Sequence, residues 1–149
     1  ATWRFAFETN VLGAAISTNA VLPHLVASHG VAAYLSSVSA SLTAPWPGFG
    51  AYTVTKAALD KMIEAYRVEH PSIGFTRIVV GDCPGGEGHG TTEFANGWDM
   101  EHAMRFAPIW QERGLMAGAL MDVADLLATV DAVLTSNALF PSVTVTARP

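Results

Sequence analysis

Apolar side chains recur at helical intervals over residues 3–28, at Phe5, Val11, Leu12, Ala15, Ile16, Ala20, Val21 and Leu25. The pattern predicts a first helix, with Pro23 near its end and Gly30 as its stop. VAAYLSSVSA (31–40) is a short apolar run that turns polar, as a buried strand ending in a hydroxyl-rich loop would. SLTAPWPGFG (41–50) holds two prolines and two glycines and reads as loop. A second helix is expected over 51–69, with Ala57, Ala58, Leu59, Met62, Ile63 and Tyr66 as apolar positions and Pro71 and Gly74 as the stop. FTRIVVG (75–81) is a second strand, and the glycine-rich DCPGGEGHGTTEF (82–94) is irregular. One or two short helices are expected over 97–118. A further helix over 122–137 carries Leu126, Leu127, Val130, Val133 and Leu134 on one face, and SVTVT is a terminal strand.

Strands that alternate with helices and are nearly all apolar belong to parallel sheets covered on both faces. In such sheets ligands bind at the carboxyl ends of the strands. Here the loops after 31–37 and 75–81 meet the start of the 51–69 helix, and the polar residues collect there. With 149 residues, half of them hydrophobic, the chain is sized for a single domain. A net charge of −5 and eight scattered basic residues argue against a nucleic-acid partner. A single cysteine, Cys83, excludes an intrachain disulfide, and the five histidines show no metal-ligand spacing, so no metal is expected. Residues 11–28 are the nearest approach to a membrane span, but His24, Asn19 and Pro23 interrupt them, so no membrane contact is expected and a cytoplasmic protein is the default. The chain opens on Ala1 directly into helical sequence, which gives the expectation of a piece of a longer protein.

Within AYTVTKAALDK (51–61), Lys56 lies four residues after Tyr52, although the whole chain has only two lysines. Positions i and i+4 share one helix face. A nearby ammonium favours a phenolate, so Lys56 would pull the Tyr52 pKa down and make the pair competent in proton transfer; taken alone, the spacing equally fits an amphipathic helix with both residues on its wet side.

Asn10 in NVLG, SSVS (36–39), Tyr52 with Lys56, and PGG (84–86) follow one another in the order found in short-chain dehydrogenases/reductases. Over residues 3–140 the chain resembles the C-terminal, catalytic half of that family. The resemblance implies an α/β fold, part of a doubly wound parallel-sheet, Rossmann-like domain lacking its N-terminal βαβ nucleotide-binding half, with residues 1–149 forming one partial domain. It also implies a cofactor, NAD or NADP, and a small-molecule alcohol or carbonyl substrate. Tyr52 would be the general acid or base, and Lys56 would lower its pKa and bond the nicotinamide ribose. A serine would polarise the substrate oxygen, and Asn10 would hold a water chain. Pro84 and Gly85 would line the nicotinamide, and Thr91 or Thr92 would meet its carboxamide. The first helix and the Tyr52 helix would pack across a two-fold axis, giving a homodimer or homotetramer.

The serine is open to two assignments. The loop before Tyr52 is about two residues longer than usual for the family, which places the strand-end Ser37 in the role, whereas the common spacing of thirteen selects Ser39. Ser37 is preferred, because strand position is fixed more firmly than loop length. No strand, glycine-rich turn and helix precede Asn10, so these 149 residues by themselves are expected to bind nicotinamide cofactor weakly or not at all. The rival reading is a truncated, non-catalytic relative that serves as an oligomerisation partner.

Overall fold

The structure, a computed structural model, describes residues 3–83, 99–115 and 119–148. Helix α1 (Trp3–Ser28) leads into strand β1 (Val31–Ser37), a four-residue helix α2 (Val38–Ser41) and the long helix α3 (Gly50–Glu69). Strand β2 (Gly74–Val80), helices α4 (Met100–Glu112) and α5 (Val123–Thr135) and strand β3 (Ser142–Val145) complete the order. The strands form one parallel sheet in the order β1-β2-β3, with Val31 opposite Gly74, Ser37 opposite Val80 and Arg77 opposite Ser142. This is the α/β arrangement with a parallel sheet expected from the alternation of elements, and the partial Rossmann-like fold that the resemblance implies.

The core lies between the sheet and the α1–α3 layer. Tyr34 and Phe75 from the strands meet Leu59, Ile63 and Tyr66 of α3, with Ile73 alongside and Leu22 and Leu25 of α1 packed at the edge. The Tyr66 and Phe75 rings stack with centroids 5.5 Å apart. Phenol oxygens at this layer are satisfied by α1: Tyr34 shares a 2.8 Å hydrogen bond with Thr18, and Tyr66 donates to Asn19 Oδ1 at 3.0 Å. Ile78 and Val79 are both fully buried although they point to opposite faces, so β2 is covered on both sides, with α5 touching β1 and β2. At the β2–β3 side, Arg77 bridges the buried Asp60 of α3 at 3.1 Å and donates to Ser142, which ties the long helix to the last strand.

Several details differ from the sequence expectations. His29, not Gly30, takes the left-handed conformation that ends α1 (φ 49°). The hydroxyl-rich segment after β1 coils into α2, because the Ser37 side chain caps it by accepting from the Ser39 N–H at 3.2 Å. The 97–118 region holds one described helix, capped by Asp99 accepting from the His102 N–H. In α5 only part of the apolar set faces inward: Val133 is buried, but Leu127 and Leu134 are exposed. Finally, α1 is long and apolar enough to cross a membrane by length and composition, contrary to the reading of residues 11–28. Here it is docked on α3 and β1 by the side-chain bonds of Thr18 and Asn19, and most of its apolar residues lie on the outside.

Candidate active site

Asn10 sits in a π-helical interruption of α1, Glu8–Gly13. Such a bulge re-aims side chains relative to a regular helix and is frequent at functional sites. The Asn10 amide donates to Thr55 Oγ1 at 3.0 Å, and the Thr55 hydroxyl donates to the Tyr52 carbonyl at 2.8 Å. Thr55 is fully buried. The amide of α1 is thereby tied to the first turns of α3, one helical turn from the tyrosine.

Ser37 ends β1, where strand geometry fixes its place, and its hydroxyl lies 3.0 Å from that of Ser39. The Ser37 side chain acts on the Tyr52 phenol, favouring its anion. Both candidate serines line the same cavity as the phenol. Lys56 lies one turn further along α3, its ammonium 5.7 Å from the centre of the Tyr52 ring and donating to the Leu35 carbonyl at 2.8 Å.

The electrostatics run opposite to the sequence expectation. Burial pushes the Tyr52 phenol above its ordinary value, and the Ser37 side chain offsets part of the rise. Burial likewise pulls the Lys56 ammonium below its ordinary value, with Asp60 acting in the other sense. The expected lowering of the tyrosine by the lysine is thus corrected. Lys56 Nζ is committed to a strand carbonyl, and the cost of placing a phenolate among apolar walls is the larger effect.

Asn10, Ser37, Ser39, Tyr52 and Lys56 all line one cavity of about 410 Å³, with Val80, Gly81, Asp82 and Cys83 at the carboxyl end of β2. Trp46 and Phe49 of the loop before α3, and Val123 and Leu126 of α5, form its walls. Pro84, Gly85 and Thr91 lie outside the described residues, as do Thr92, Glu87, His89 and Trp98. Met100 and Met104 are exposed, whereas Trp110 is buried behind the aromatic wall, its indole N–H donating to the Pro47 carbonyl at 2.8 Å. Among the described residues no cluster of histidine, cysteine or carboxylate side chains could hold a metal ion.

Sequence reasoning missed Thr55, Trp46 and Phe49. Thr55 had a signal, a hydroxyl three residues after Tyr52 within an apolar helix. The two aromatic residues lay in a loop whose path no periodicity reports.

Comparison with known proteins gives the family and the fold. The family model for short chain dehydrogenase matches residues 1–95, and the chain belongs to that family. No curated protein sequence matches it significantly. Among solved structures, an alcohol dehydrogenase from the archaeon Thermococcus sibiricus, complexed with 5-hydroxy-NADP, superposes with a TM-score of 0.71 at 18% identity, over 99% of this chain and 55% of its own. A short-chain dehydrogenase from Streptomyces avermitilis gives 0.67 at 22% identity, over 97% and 52%. A 3-ketoacyl-ACP reductase from Sinorhizobium meliloti gives 0.68 at 17% identity, over 96% and 57%. The chain therefore spans about half the length of the solved structures it matches, and at these identities the likeness is one of fold.

Proposed function

We propose that this chain carries the proton-handling face of an NAD(P)-dependent oxidoreductase that interconverts an alcohol and a carbonyl compound. The observation that carries the reading is the convergence of Asn10, Ser37, Tyr52 and Lys56 on one cavity at the carboxyl ends of parallel strands, with Lys56 one turn from the phenol. A carbonyl oxygen placed against the Ser37 and Tyr52 hydroxyls accepts from both. Ser37 stabilises the charge that develops on it, and Tyr52 gives up its proton as the oxygen becomes an alcohol. A nicotinamide cofactor, NAD or NADP, would supply the hydride that bonds to the carbonyl carbon. A phenol is protonated at neutral pH without any shift, and the rise that burial causes makes Tyr52 a weaker acid than a free phenol. Asn10, linked to Tyr52 through Thr55, holds the first turns of α3 in register with α1.

The residues fit such a cofactor at the described end of the site. Lys56 reaches the end of β1, and Val80–Cys83 border the cavity at the end of β2, the place where open parallel sheets take nucleotides. Pro84 and Gly85, which follow directly in sequence, and Thr91, further along the same glycine-rich stretch, are proposed to continue this border.

A second reading, association through α1 and α3 into a homodimer or homotetramer, is favoured by their outward apolar residues: Phe5, Leu12, Ile16, Val21 and Val54 are all exposed. It is compatible with the enzymatic reading and supplies the rival role if catalysis is absent.

The test is turnover of a ketone with reduced nicotinamide, using the polypeptide in which these residues naturally occur. Tyr52→Phe is expected to lower kcat by about 10²–10⁴-fold, the range for a lost general acid, and Ser37→Ala to follow the same direction. Undiminished turnover in Tyr52→Phe would remove the basis for the assignment.

A further inference from the structure

We propose that the site is built for a neutral aryl ketone, or the matching aryl carbinol, whose ring lies against Trp46 and Phe49; this rests on the oxidoreductase reading and names its substrate class. The polar side chains of the cavity gather where Asn10, Ser37, Tyr52 and Lys56 meet. The wall reached from the loop before α3 is aromatic. Trp46 and Phe49 meet edge to face at 5.8 Å between ring centres, and Phe49 meets the ring of Tyr52 itself in the same manner at 6.2 Å. A carbonyl held on the phenol therefore places its substituent beside these rings.

The wall is braced from behind. Trp110 of α4 contacts Trp46 at 5.5 Å and Phe49 at 5.3 Å, and is itself buried and pinned by its hydrogen bond to Pro47. The Trp46 indole N–H finds no acceptor among the described residues, while its carbonyl accepts from the Phe49 N–H at 3.0 Å. Gly48 enforces the approach of loop to helix: its φ is +88°, and a Cβ there would stand 2.9 Å from the Phe106 ring. Val123 and Leu126 of α5 add aliphatic surface to the same cavity.

Charge argues for a neutral substrate. Among the described lining residues the charged groups are Lys56, committed to the Leu35 carbonyl, and Asp82; no guanidinium lines the cavity to pair with a carboxylate or phosphate. A flat ring gains offset-stacked and edge-to-face contacts that a saturated ring of equal size cannot make. Such contacts are worth a preference of roughly two- to tenfold beyond burial. In the reaction proposed above, the aryl ketone's C=O π bond is replaced by a C–H bond to the delivered hydride and an O–H bond to the Tyr52 proton.

The probes are acetophenone and cyclohexyl methyl ketone, which match in carbon skeleton and differ in aromaticity. Dissociation constants for both are measured by ligand-observed NMR on the unmodified protein and on Trp46→Leu. Acetophenone is expected to bind roughly three- to tenfold more tightly than its saturated counterpart, with the preference gone in Trp46→Leu. Intermolecular NOEs from the acetophenone ring to the Trp46 indole protons in the unmodified protein provide the same evidence should the variant fold poorly. Equal affinities, no measurable binding of either ketone, a preference that survives in folded Trp46→Leu, or NOEs that place the ring away from Trp46 would each overturn the proposal. Failure of the oxidoreductase reading registers separately, as turnover indifferent to Tyr52→Phe.

Discussion

Replacing Thr55 by valine removes one hydroxyl from the interior and keeps the side chain's shape. That hydroxyl accepts from Asn10 Nδ2 at 3.0 Å and donates to the Tyr52 carbonyl at 2.8 Å, at a position with no solvent exposure. The Tyr52 carbonyl keeps its place in the helix ladder, so its second bond contributes little. The Asn10 amide, in contrast, is left without this acceptor in a partly buried setting. At about 1 kcal/mol net per hydrogen bond, with a similar cost for a stranded donor, the expected loss is about 1–2 kcal/mol. For a domain of this size that lowers Tm by about 3–6 °C. Urea unfolding of wild type, Thr55→Val, Asn10→Ala and the double variant would form a complete cycle. The account expects a coupling energy of about 0.5–1 kcal/mol between the two positions. A Thr55→Val midpoint equal to wild type, or additive single effects, would refute the claim that this bond fixes α1 against the tyrosine helix.

Two further outcomes follow from the packing. Gly48→Ala forces a side chain into a left-handed backbone (φ +88°) and against Phe106, and should cost about 1–3 kcal/mol in urea unfolding while changing tryptophan emission as Trp110 shifts; an unchanged midpoint would contradict the close approach. If the outward face of α1 is an association surface, sedimentation equilibrium at micromolar concentration should find a dimer or tetramer, and Ile16→Asp should yield a folded monomer. A wild type that is monomeric under those conditions would exclude that surface.

The helices and strands were legible because their signals are local. β2 reads as a strand from an apolar run bounded by Gly74 and Gly81, and α3 from its Ala/Leu body between the 41–50 loop and Pro71. The ordered set of Asn10, Ser37, Tyr52 and Lys56 was legible for a different reason: each sits on a regular element or at its end, so element order carries it to one edge of the sheet. The direction of the Tyr52 shift was not legible, because helix spacing places Lys56 near the ring without revealing that its ammonium is held by the Leu35 carbonyl. The π-helical turn at Asn10 was equally hidden, since NVLG carries no local mark of the extra residue per turn. Trp46 and Phe49 reach the cavity through tertiary contacts with Trp110, some sixty residues away, which a pass along the chain does not bring together.

The central claim is that Tyr52 is a desolvated acid whose anion the Ser37 side chain favours, and the phenol itself reports on it. Tyrosine Cζ resonances, assigned by comparison with Tyr52→Phe, would be followed by carbon NMR as pH is raised, in wild type and in Ser37→Ala. Burial raises the Tyr52 pKa above the ordinary phenol value of about 10, so the signal should remain that of the neutral phenol up to and past that pH. Because the Ser37 side chain favours the phenolate, its removal should move the midpoint higher still. A wild-type midpoint at or below the free value, or one that Ser37→Ala leaves in place, would contradict the account.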